Sequence, residues 1–118
     1  KVENQVKVAK AGGIESVISA MRNHELIPGV QEAGCGALRN LWANPEENVG
    51  VLQSGGIRSV IGAMRMHMEK PGVQEEGCGA LKNLATIEHN RVEVAQVGGI
   101  ESVIQAKTKH GGHSGVQE

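Results

Sequence analysis

Apolar residues recur along this chain in two rhythms, one short and one long. Ile57, Val60, Ile61 and Met64 stand at i, i+3, i+4 and i+7, the spacing of a single helical face. The same columns hold Ile14, Val17, Ile18 and Met21 earlier, and Ile100, Val103, Ile104 and Lys107 later. The long rhythm is the offset between these sets, 43 residues each time. VQEAGCGALRNL at 30–41 returns as VQEEGCGALKNL at 73–84, and VQE returns at 116–118. A fixed period of this size predicts a repeat array, in which each unit packs mainly on its neighbours.

One unit reads as three helices. Asn48–Gln53 has an apolar face at Val49 and Leu52 and predicts a helix of two short turns. Gly55-Gly56 is expected to stop it, because glycine accepts the left-handed backbone of a helix end. Gly12-Gly13 and Gly98-Gly99 are expected to make the same corner. The second helix then runs to about His67, and Pro71-Gly72 breaks the chain. A third helix begins around Val73, with Glu75 in its first turn and Val73, Gly77, Ala80, Leu81 and Leu84 on its buried face. In the third unit Ser114 takes the proline column as an N-cap. The units span approximately 4–46, 47–89 and 90–118, and no segment carries a strand signal. The expected architecture is an all-α solenoid. Neither end carries the polar cap that terminates such arrays, so the chain reads as a piece of a longer one.

Composition narrows the chemistry. The chain has 118 residues and a formal net charge of −1, which leaves no electrostatic footprint for nucleic acid. No apolar run approaches a membrane span and no signal peptide opens the chain. With no Phe, no Tyr and one Trp, the core is expected to be aliphatic. Cys35 and Cys78 occupy equivalent columns. Stacked helices lie about 10 Å apart, too far for a disulfide. They are therefore read as reduced, buried thiols in a cytoplasmic protein, with cytoskeletal association as an option.

The units resemble armadillo repeats. The resemblance covers essentially the whole chain and rests on the period, the Gly-Gly-Ile corner, and Ala-Leu-X-Asn-Leu in the third helix. That last element is Ala37-Leu38-Arg39-Asn40-Leu41 and Ala80-Leu81-Lys82-Asn83-Leu84. A HEAT array, with two main helices per unit, lacks the glycine corner. The resemblance implies a right-handed superhelix whose third helices line a concave groove that binds extended peptides or partner proteins. The family's groove asparagine matches Asn40 and Asn83, whose carboxamides can both donate to and accept from a peptide backbone. Import receptors of the family carry a Trp four residues before that Asn. Here the position is Gly36 and Gly79, which argues against an import receptor.

Helical geometry gives the remaining groove columns. Residues sharing the side of Asn40 are Glu32, Ala33, Gly36, Arg39, Ala43 and Asn44. Those sharing the side of Asn83 are Glu75, Glu76, Gly79, Lys82, Thr86 and Ile87. The expected partner-binding set is Glu32, Gly36, Arg39, Asn40, Asn44, Glu75, Glu76, Gly79, Lys82 and Asn83. An acidic row at Glu32, Glu75 and Glu118 runs beside a basic row at Arg39 and Lys82, which suits a mixed-charge partner. Both asparagines are expected to point away from the core.

Other patterns admit plainer explanations. Gly34 and Gly77 face inward and read as sites of close helix approach, whereas Gly36 could open the groove floor. Each glycine inside a helix costs about 1 kcal/mol relative to alanine. His24, His67 and His110 form a column at the end of each second helix. One repeat separates them, far more than zinc ligation at about 2 Å permits, so they read as partners of helix C-termini. The chain has no Asp, no nucleophile–His pair at motif spacing and no phosphate-cradling loop, so no enzyme, metal or cofactor is expected. The expected function is a scaffold that binds a protein or extended peptide. The alternative is a structural component that self-associates head to tail in a filament or large assembly.

Overall fold

The computed structural model of the chain describes residues 2–43, 54–85, 95–96 and 98–110. Among them are α1 (Val2–Asn23), α2 (Pro28–Leu41), α3 (Ser54–Met66), α4 (Pro71–Leu84) and α5 (Gly99–His110), with no strand. The expected short helix 48–53, Asn44, the Ser114 cap, Glu118 and the positions of Thr86 and Ile87 lie outside the described residues. No helix of the described residues is long and apolar enough to cross a membrane.

Proline places the starts of α2 and α4. Pro28 and Pro71 occupy the first helical position, where their missing N–H would have had no partner anyway. The residues before them, Ile27 and Lys70, are extended, as the proline ring requires. The third helix thus starts at the proline and not at Val73. Glu75 consequently lies beyond the first turn of α4.

The glycine corners differ from one another. Gly98 turns the chain with φ +84, and α5 follows at once. Gly55-Gly56 instead lie within the first turn of α3. Gly12-Gly13, expected to break the chain, lie inside α1, which runs through them as one helix. Glycine permits a left-handed turn but does not impose one. A side chain at either position would meet nothing within 4 Å, so no close neighbour accounts for a corner there.

Helices equivalent under the 43-residue shift pack on one another: α1 on α3, α3 on α5, and α2 on α4 in the most extensive interface. Cross-packing of α1 on α2 and α3 on α4 joins these into two layers. Between them lies one core, containing Ile14, Ile18, Met21, Leu38, Ile57, Val60, Ile61, Met64, Val73, Leu81 and Leu84. The core is not purely aliphatic. Trp42 is fully buried, and its indole packs so close to Gly56 that an added Cβ would lie 2.5 Å from Cζ2. α5 also departs from its expected face, since Ser102 and Ala106 are buried while Ile104 is 58% exposed.

Gly34 and Gly77 are sites of close approach. A Cβ on Gly34 would lie 2.5 Å from Cγ of Met21, and one on Gly77 would lie 2.6 Å from Cγ of Met64. The contact is between the two long helices of the same unit. Cys35 and Cys78 are buried and unbridged. Burial, with the nearby Glu76 and Cys78, pushes the Cys35 thiol up to about 12, and burial raises Cys78 as well.

Candidate interaction surface

The buried polar residues of α2 and α4 are glutamines. Gln31 donates its side-chain amide to the carbonyls of Met21, at 3.0 Å, and His24, at 2.9 Å. Gln74 repeats this on Met64, at 2.9 Å, and His67, at 3.0 Å. The last carbonyls of a helix lack intrahelical partners, and here one carboxamide satisfies two of them at the ends of α1 and α3. Sequence reasoning missed this role, although Gln at the same place in each VQE was the signal. The glutamine also aims α2 and α4 from the preceding helix.

The histidine column does something different from its expected task. His67 donates from Nε2 to the carbonyl of Glu25 at 2.7 Å, and His110 donates to that of Met68 at 2.6 Å. Each acceptor belongs to the turn after the long helix of the preceding unit. The histidines thus tie one unit to the next, while the glutamines cap helices within a unit. His24, the first of the column, is exposed. Among the described residues no three His, Cys or Glu stand together in a way that could hold a metal ion.

The expected binding residues divide into two groups. One group ties α2 to α4. Asn83 donates from Nδ2 to the carbonyl of Arg39 at 2.7 Å. The Arg39 guanidinium reaches Oε2 of Glu76 at 3.3 Å, both side chains being about one-third exposed. It also lies directly over Gly79, where any Cβ would collide with it. Gly79 is therefore buried beneath a cation of the neighbouring unit and is not an open floor. Gly36 is half-buried, with the Glu76 carboxylate 3.4 Å from where its Cβ would be. The Asn83 side chain is not turned wholly outward, since its amide is used between helices.

The other group faces solvent. Glu32, Asn40 and Lys82 are exposed and Glu75 is half-buried, on the two adjacent helices α2 and α4. Asn44 lies outside the described residues. Asn40 and Asn83, equivalent in sequence, thus stand in different environments, because only α4 has a described unit before it.

Concavity occurs on the other layer. A cleft of about 240 Å³ lies between α1 and α3, lined by Met21, Arg22, Glu25, Arg58, Gly62 and Met66 among others. A second, more open cleft of about 470 Å³ adjoins it, lined by Arg58, Ile61, Gly62, Arg65, Gln96 and Gly98. The apolar periodicity announced neither one, because their rims are exposed residues such as Arg22, Glu25, Arg58, Arg65 and Met66 over a floor of buried Met21 and Ile61.

No protein-family model matches the chain, and no solved structure does. A segment of 48 residues, 41% of the chain, is 45% identical to part of Protein aardvark of Dictyostelium discoideum. The matched segment is 6% of that protein's length.

Proposed function

We propose that the chain is part of an armadillo-type solenoid acting as a protein-binding scaffold, whose α2/α4 face takes an extended peptide or partner protein. One observation carries this reading. α2 and α4 lie side by side, with Glu32 and Asn40 exposed on the first and Lys82 exposed and Glu75, the repeat equivalent of Glu32, half-buried on the second. Such a surface offers carboxylates, an ammonium and a carboxamide to a strand crossing both helices. The Arg39–Glu76 pair and the Asn83 amide hold the two helices in register beneath it. The reading assigns no reaction and no cofactor to the chain, and it places the protein inside the cell, in keeping with two buried thiols.

Selection from a random-peptide library tests it. Peptides enriched on the native chain should lose binding to a variant carrying Asn40→Ala and Lys82→Ala, both exposed positions, at unchanged helicity. Retained binding by that variant contradicts the assignment of the face.

A second reading is a structural component that stacks end to end. It is favoured by the ties between units, since His24 and Asn40 are exposed while their equivalents His67 and Asn83 bond main-chain carbonyls. Light scattering across a dilution series separates the two readings. A scaffold keeps a fixed size, and a stacker grows with concentration.

A further inference from the structure

The glycines inside these helices fall into two kinds. At Gly34, Gly56, Gly77 and Gly79 an added Cβ would collide with a neighbouring side chain, so packing accounts for each one. Gly62 differs. It lies in the middle of α3, it is exposed, and a Cβ there would meet nothing within 4 Å. A mid-helix glycine is destabilising relative to alanine, and the folded chain gives no steric reason for this one.

Gly62 lines both clefts of the α1–α3–α5 layer, as does Arg58. The two clefts are therefore halves of one trough passing over α3 at its glycine. Arg22 lines one half and Arg65 the other, the latter guanidinium lying against Gly98. Among the described residues, Arg22, Arg58 and Arg65 form no ion pair, whereas Arg39 and Lys109 are paired with Glu76 and Glu69. Glu25 stands at the Arg22 end, so the demand for negative charge is greatest between Arg58 and Arg65. The apolar material in the first half is Met21 below and Met66, 53% exposed, at the rim. Methionine adapts its shape to an incoming aliphatic group.

We infer that this trough is a second docking site, for an acidic segment of a partner protein that crosses α3 at Gly62, sets an aliphatic side chain against Met66 and places carboxylates on Arg58 and Arg65. Glycine lets the partner's main chain approach the helix closely. Arginine matches carboxylates through paired N–H groups, so charge complementarity supplies both attraction and orientation. This site lies on the layer opposite to the α2/α4 face and does not depend on that face binding anything.

The test uses the full chain and a short fluorescent peptide in which one leucine is flanked on both sides by glutamates, followed by anisotropy at physiological salt. Binding is expected to fall about tenfold or more with Arg58→Glu, which reverses a charge at the centre of the trough. Gly62→Leu, which fills the crossing point, is expected to do the same at unchanged helicity. Lys82→Glu, on the other layer, should leave binding unaltered. No binding by the native chain overturns the site. So does binding that ignores both trough variants, and binding lost only with Lys82→Glu moves the peptide to the α2/α4 face. Displacement of the peptide by millimolar inorganic phosphate would mark the arginines as a site for a free anion and would overturn the peptide assignment.

Discussion

Asn83 donates its side-chain amide to the carbonyl oxygen of Arg39 at 2.7 Å, across the junction of α2 and α4. The residue that sequence pattern assigned to a ligand is thus also a fastener between helices. Asn83→Ala is expected to destabilise the fold by about 0.5–1.5 kcal/mol, the worth of one such bond. Asn40→Ala, at an exposed position, should change stability within about 0.5 kcal/mol. Urea unfolding of the two single variants measures the difference, and equal losses would contradict the asymmetry.

Gln74→Leu removes a hydrogen bond from each of two carbonyls while keeping the side chain close in size. The expected loss is about 1–3 kcal/mol, because the buried Met64 carbonyl loses its side-chain donor, while the His67 carbonyl keeps the Lys70 N–H at 3.0 Å. Gln31→Leu should cost less, since its bond to the His24 carbonyl is only partly buried. Thermal unfolding should order the variants accordingly.

Alanine should act in opposite directions at two glycines of the packed helices. Gly62→Ala is expected to stabilise by about 1 kcal/mol, the difference in helix propensity. Gly77→Ala places a methyl group within 2.6 Å of Met64 and is expected to destabilise by about 1–3 kcal/mol through overpacking. Denaturant midpoints of the two variants give the signs directly.

The thiols supply a prediction about pH. Cys35 is raised from 9.0 to about 12 in the folded chain, so its protonated form is favoured by folding. The stability this provides is fully present below pH 9 and is lost as pH rises from there toward 12. Cys35→Ser should reduce the alkaline loss. At neutral pH both thiols should resist labelling in the native state and react after denaturation, because the thiolate is the reactive form. Rapid native labelling would place them outside the core.

The long helices were legible in the chain because their apolar columns and prolines are local signals. Ile57, Val60, Ile61 and Met64 are all buried as the spacing demands. Gly12-Gly13 misled because a glycine pair states what the backbone can do and not what the surrounding helices make it do. Ile104 misled because helical spacing marks one face, and in α5 the face that meets the core is the one bearing Ser102 and Ala106. Among the site residues, pattern placed Glu32, Asn40 and Lys82 on the surface but could not separate them from Arg39, Gly79 and Asn83. That separation comes from what the next unit does, and identical letters in two units give no hint of it.

The fasteners His67, His110 and Asn83 all grip main-chain oxygen atoms, at Glu25, Met68 and Arg39. Mutation at the gripped positions leaves the carbonyl in place. The junctions made by His67 and His110 are therefore demanding on one side and permissive on the other, whereas Arg39 also contributes its side chain, to Glu76. Glutamate and methionine already serve as equivalent acceptors at positions 25 and 68. The permissive positions can take on new surface chemistry without loosening the joint, so neighbouring units can diverge in what they present while remaining mechanically interchangeable.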